Sequence, residues 1–157
     1  KTAAIGEQIA MEIIKYAQQN GIDILHSNQI GIDVIGVGAS TRDFLRSKKW
    51  SVKEFVAGGS TMGNYNNLRS EVLYEMSVAM LDGRFKIYED LSTLETLREQ
   101  MLAHEYYTEE RKIVVQSKNK VKERLGASPD HLESAYIAFW LSRGDTDPKN
   151  NPNRIVF

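Results

Sequence analysis

The sequence predicts one α/β domain, and three features predict it. Segments with helical apolar spacing alternate with short runs rich in β-branched residues. The run Ile30–Val37 is apolar on both faces, the pattern of a strand buried in a parallel or mixed sheet. No repeat and no linker divides the 157 residues, a length that buries a substantial core without staples.

The elements follow in order. Ile5, Ile9, Ile13 and Ala17 recur every four residues, which puts them on the inward face of a first helix, with Gly21 as its stop. The strand at 30–37 then leads through Gly36, Gly38 and Ser40 into a short helix with Phe44 and Leu45 inward. A second strand is expected over 52–56, closed by Gly58 and Gly59. Leu68, Val72, Met76, Ala79 and Met80 mark an amphipathic helix ending at Asp82-Gly83. Residues 85–88 read as a short strand, Leu94, Leu97 and Met101 as a helix, and 113–115 as another strand. A basic stretch with helical potential follows. In the last helix Ser128 is the expected N-cap and Pro129 the first helical residue. Leu132, Ala135, Tyr136, Phe139 and Trp140 face inward there, and Gly144 is the stop. Residues 1–144 are thus expected to be the domain, and 145–157, rich in Asn, Asp and Pro, an irregular tail. The chain opens on Lys1 rather than Met, and no strand precedes its first helix. Both features give the expectation of a piece of something longer, with an N-terminal hairpin left out.

Composition excludes several chemistries. There are no cysteines, so disulfides and thiolate metal sites are ruled out. The three histidines, His26, His104 and His131, lack any paired ligand spacing, which leaves oxygen-ligand metals. No apolar run is long enough to cross a bilayer, and nothing near the start reads as a signal peptide, so no membrane partner is expected. The net charge of -1 carries no global sign of nucleic-acid binding. Locally, Arg111, Lys112, Lys118, Lys120, Lys122 and Arg124 crowd one stretch, and Arg46, Lys48, Lys49 and Lys53 another. Such clusters neutralise phosphates or simply form a solvated helix face.

Two carboxylates stand in informative places. Asp33 interrupts the apolar run of an expected central strand, where burying its charge costs several kcal/mol unless a cation, a metal or hydrogen bonds compensate. Asp130 falls in the first turn of the last helix, where the helix dipole favours negative charge by about 0.3–1 kcal/mol. Glu133 shares its face one turn on. A rival reading starts from Gly36-Val37-Gly38. Strand, GxG turn and helix suit a Rossmann-like nucleotide-binding domain, with Glu54 on the next strand as a ribose ligand. The third glycine of that fingerprint is Thr41 here.

Three blocks in order bring a family into view. Ile32-Asp33-Val34-Ile35-Gly36-Val37-Gly38 resembles the "vDxxGvG" strand of phage large terminase subunits. Tyr65-Asn66-Asn67-Leu68-Arg69-Ser70-Glu71 resembles their "Y-x-N-x-R-S/A-E" helix start. Ser117-Lys118 with Lys122, Arg124 and Gly126, running into Ser128-Pro129-Asp130, resembles their "SKxxxKxRxGxSPD" ending. The resemblance runs from about Ile30 to Ala138. It implies the C-terminal nuclease domain of a packaging motor, with an RNase H-like mixed sheet flanked by helices and its N-terminal strands missing from this chain. The implied activity is endonucleolytic cutting of concatemeric double-stranded DNA with Mg²⁺ or Mn²⁺. The implied metal ligands are Asp33 and Asp130, the two catalytic acids, with Glu133 where many relatives have another Asp. The first acid of the family has no counterpart here, so this chain alone is expected to be inactive.

Lys118, Lys122 and Arg124 would hold the DNA backbone, a contact that positions without reading sequence. Implied partners are the upstream ATPase domain, a portal protein and a small terminase subunit in the bacterial host cytoplasm. No GxxxxGK[ST] phosphate loop occurs, as expected if the ATPase lies elsewhere. Lacking one acid, the piece could instead be a non-cleaving DNA-binding or assembly module. Asn67, Arg69 and Glu71 either contact DNA or a neighbouring subunit, or form a capped helix start with Arg69 and Glu71 solvated.

Overall fold

The computed structural model describes residues 2–21, 30–61 and 63–143. The expected tail at 145–157, the stop at Gly144, and His26 lie outside the described residues. The chain is mixed α/β and falls into two compact units, Lys1–Val56 and Ala57–Phe157.

The first unit holds α1 (Thr2–Gln19), β1 (Gly31–Asp33), α2 (Val37–Ser47) and β2 (Lys53–Phe55). The helices α1 and α2 pack together. The inward face of α1 is the expected one only at Ile13, which packs on the core, and at Ala17. Ile5 and Ile9 are 46% and 43% exposed, whereas Gly6, Ala10 and Ala17 are buried. Close approach is the reason: a Cβ on Gly6 would lie 2.0 Å from Ser40 Oγ and 2.8 Å from the Thr41 backbone nitrogen. Two helices this near need small residues at the contact, and Ile5 and Ile9 are left exposed beside it. Ala10, Leu45 and Val52 form the core, with Ile13, Ile14, Ile30, Ile32, Phe44 and Trp50 packed on it.

β1 and β2 are parallel, with Gly31 opposite Lys53 and Asp33 opposite Phe55. The first strand is shorter than the apolar run predicted, because the chain turns early. Gly36 adopts φ 71° and ψ −123°, a conformation suited to glycine alone. Gly38 passes so close to the Asp33 carbonyl that a Cβ would sit 1.7 Å from its oxygen. Helix α2 therefore starts at Val37, and the arrangement is a β-α-β unit.

The second unit holds α3 (Leu68–Leu81), α4 (Leu91–Leu102), β3 (Tyr106–Glu109), β4 (Lys112–Val115), α5 (Lys118–Leu125) and α6 (Asp130–Arg143). Helix α3 packs on β4 and α6, and α4 packs on α6. Val72, Met76, Val121, Leu132 and Tyr136 are almost fully buried. Asn67 caps α3 by accepting from Ser70 N at 2.9 Å, as an Asn at the N-cap should. Asp90 caps α4 in the same way through Thr93 N.

Two expectations fail in this unit. Residues 85–88 form no strand; Phe85 and Ile87 still point inward and Lys86 and Tyr88 outward, but no strand among the described residues pairs with them. The alternation reflects packing, since the Phe85 and Phe139 rings meet edge-to-face at 5.1 Å. Strand β3 was not expected. It pairs antiparallel with β4 across Glu110 and Arg111, which take φ 48° and 65° without a glycine. Such a tight turn ordinarily advertises itself by Asn-Gly or Asp-Gly.

Candidate metal and nucleic-acid site

Asp33 is the last residue of β1 and half-buried, so it is not enclosed in a central strand as the sequence suggested. Its Oδ1 accepts from Ile35 N at 3.1 Å, which fixes the turn leading to α2. Its Oδ2 has no partner among the described residues. The carboxylate thus stands at the carboxyl end of a parallel strand, where open α/β sheets place ligands.

Glu54, on the neighbouring strand, is held by Arg42 at 3.2 Å and Arg46 at 2.6 Å. Two guanidiniums on its two oxygens leave it poorly placed to receive a ribose hydroxyl. In the same unit Lys48 lies over the Phe44 ring at 5.3 Å. Thr41, at the third fingerprint position, is buried and donates to the Val37 carbonyl at 3.2 Å.

Asp130 opens α6 and is exposed. Ser128 Oγ donates to Asp130 Oδ1 at 2.5 Å instead of accepting a helix amide, which corrects the N-cap expected for Ser128. The first helical carbonyl acceptor is that of Pro129, bonded by Glu133 N at 3.0 Å. Asp130 lies on an open groove of about 370 Å³ with Phe85, Ile87, Glu89, His131 and Ser134. One turn on, Glu133 is paired with Lys118 Nζ at 2.5 Å. A carboxylate bound to an ammonium is a poor metal ligand until that ammonium is displaced. Among the described residues no three His, Cys, Asp or Glu side chains gather into a metal-binding group. Asp33 and Asp130, one in each unit, each keep a carboxylate oxygen without a partner among those residues, and carboxylate oxygens are the donors that hard divalent cations take.

The three predicted DNA-binding cations differ sharply. Lys118 is engaged by Glu133. Arg124 donates to the Ala103 carbonyl at 2.5 Å and to Gln116 Oε1 at 3.2 Å, and pairs with Glu105 at 3.1 Å. It ties α5 to the end of α4 and to the hairpin. Lys122 is exposed and, of the three, is the one with no partner for its charge among the described residues.

The block at 65–71 turns out to be architectural, and Arg69 and Glu71 are not solvated. Asn66 N donates to Ile113 O at 3.0 Å, and Ile113 N to Asn64 O at 2.7 Å. Val115 N donates to Ser70 Oγ at 3.1 Å, and Arg69 Nη1 to Gln116 O at 2.7 Å. These bonds satisfy the edge of β4 that β3 leaves open. Glu71 accepts from Arg143 at 2.6 Å, and Glu75 joins the same guanidinium at 3.1 Å. Tyr65 donates to Glu75 at 3.3 Å; burial, then the Glu75 charge, push its phenol up to about 12.

Two residues that matter were missed. Gln100, buried on α4, accepts from Leu132 N at 2.9 Å and so supplies the cap that the start of α6 otherwise lacks. Its only signal was a polar residue three positions after Leu97, on an otherwise apolar face. His104 contacts Arg69 at 3.1 Å, and nothing in the linear sequence pairs them.

Comparison with protein-family models, with curated proteins and with solved structures finds no match to this chain. No helix among the described residues is long and apolar enough to cross a membrane.

Proposed function

We propose that this chain is part of a metal-dependent DNA endonuclease domain of RNase H-like type, the nuclease portion of a phage large terminase subunit. The reading is carried by Asp33, whose half-engaged carboxylate ends a parallel strand inside a block resembling the family's catalytic strand. Two further blocks follow in family order and lead to Asp130 in the first turn of α6. On this reading Asp33 and Asp130 hold Mg²⁺ or Mn²⁺, and Glu133 joins them only when Lys118 leaves it. A divalent cation bound there supplies an activated water and stabilises the leaving oxygen's charge. Asp33 keeps its orientation through Ile35 N, and Gln100 holds the helix start that presents Asp130. Lys122 offers a phosphate contact. The substrate is double-stranded DNA. An upstream ATPase domain, a portal protein and a small terminase subunit in the bacterial host cytoplasm are the corresponding partners.

A second reading is favoured by the Lys118–Glu133 pair and the built-in Arg124, which withdraw one acid and two cations from the site. It makes the chain a non-cleaving DNA-binding or assembly module. Titration with Mn²⁺, read by paramagnetic broadening, separates the two. The nuclease reading expects amides near both Asp33 and Asp130 to broaden together, and Asp33→Asn to abolish both effects with little loss of stability. In the plasmid-nicking assay, a chain extended upstream to include the first acid should cut with Mn²⁺, and Asp33→Asn should not. Independent broadening of the two sites, undiminished cutting by Asp33→Asn, or robust cutting by these 157 residues alone would overturn it.

A further inference from the structure

His104 follows the last turn of α4 and is wedged between two groups of opposite hydrogen-bonding character. Its Nδ1 lies 2.7 Å from the Gln100 carbonyl oxygen, and its Nε2 lies 3.1 Å from Arg69 Nη2. A carbonyl only accepts and a guanidinium only donates. Nδ1 therefore carries the proton and Nε2 is the bare acceptor, so the ring is neutral and held in one tautomer. A second proton, on Nε2, would set two N–H groups head to head and place another positive charge beside Arg69.

The surrounding charges do not relieve that conflict. Arg69 faces the ring from α3, and Arg124 from α5 adds to the positive field. Glu105, next in the chain, is already engaged by Arg124 at 3.1 Å and by the Gln116 amide at 2.5 Å. Tyr74 of α3 and Tyr106 of β3 line the same cavity of about 280 Å³ as His104, and otherwise its walls are largely apolar. Burial first, and then the two guanidiniums, hold the imidazole below its ordinary range, against the opposing pull of the Gln100 carbonyl. The Arg69 that meets the ring also donates to Gln116 O at 2.7 Å, at the end of β4.

We propose that His104 is a proton-operated latch: neutral, it holds Arg69 against the end of β4, and protonated, it releases Arg69 and loosens α3 from the β3–β4 hairpin. The folded chain takes this proton less readily than the unfolded one. The latch therefore contributes its full stability above about pH 6.5 and loses it as pH falls below that toward the folded-state value. Residues 57–143 are thereby sensitive to mild acid, independently of whether the nuclease reading holds.

Long-range ¹⁵N–¹H spectra of the full chain test this directly, with His104 assigned by substitution. The expected result at pH 7.5 is the neutral Nδ1–H tautomer, a titration midpoint below about 6.5, and a Gln116 amide that titrates with it. His104→Gln supplies a second readout, because its amide oxygen can accept from Arg69 but does not titrate. The fall in urea midpoint between pH 7.5 and 5.5 should shrink at least twofold in that variant. A proton on Nε2 at neutral pH, a midpoint at or above the ordinary value, or an undiminished fall in His104→Gln overturns the latch. Should the variant not fold, the spectra of the unaltered chain decide.

Discussion

Replacing Arg69 by Met probes the clasp between α3 and β4 while keeping most of the side chain's bulk. Arg69 is only 9% exposed and makes two hydrogen bonds, to Gln116 O and His104 Nε2. Hydrogen bonds to charged groups contribute about 1.5–3 kcal/mol each, so the gross loss is about 3–6 kcal/mol. Part of it is offset, because a guanidinium with a buried and unpartnered Nε no longer has to be desolvated. A net cost of about 2–4 kcal/mol follows from those two magnitudes. With a urea m-value of about 2 kcal/mol/M, the midpoint should fall by about 1–2 M. Urea unfolding followed by far-UV circular dichroism at pH 7.5 is the assay. Arg69→Lys, which keeps the charge but not the fork, should fall between wild type and Met. A midpoint shift under about 0.2 M for Arg69→Met, with m unchanged, would mean that the clasp adds nothing beyond apolar packing.

Three further outcomes follow from the same geometry. Gly6→Val should destabilise the first unit by about 1–3 kcal/mol, because its Cβ meets the Thr41 backbone as well as the Ser40 side chain; a more stable variant in urea unfolding would contradict the close α1–α2 contact. Asp90 is held down to about 2 by the Ser92 and Thr93 hydroxyls and then the Thr93 amide, so its cap on α4 is present above the ordinary Asp range and lost as pH falls toward that value. Hydrogen exchange at Thr93 N should report this, and Asp90→Ala should raise that exchange at neutral pH but not below pH 2. Lys122→Glu should weaken binding of a DNA duplex and reduce its salt dependence without moving the urea midpoint, whereas Arg124→Ala should lower the midpoint, since Arg124 holds the Ala103 carbonyl. Equal effects of the two on stability would undo the distinction drawn between them.

Order along the chain was enough to mark the helices and two of their stops. Asn67 marks a helix start because a short polar side chain satisfies a first-turn amide, and Gly21 and Gly83 take positive φ near helix ends because they lack a Cβ. Leu45, Val72, Met76, Leu132 and Tyr136 were legible as core from periodicity alone. Tertiary structure decided everything that depends on distance. In α1, Ile13 and Ala17 face inward as their spacing predicts, but Gly6 and Ala10 stand where Ile5 and Ile9 were expected, because spacing says which residues share a face but not how near the neighbouring helix comes. Strand β4 was legible over 113–115, but its partner β3 was invisible because Glu110 and Arg111 make the turn between them with positive φ and no glycine. Whether a charge is free or engaged was likewise undecidable from order along the chain. Lys118, Lys122 and Arg124 look alike in sequence, yet only Lys122 lacks a protein partner among the described residues, because Glu133, Glu105 and the Ala103 carbonyl reach the other two through the fold.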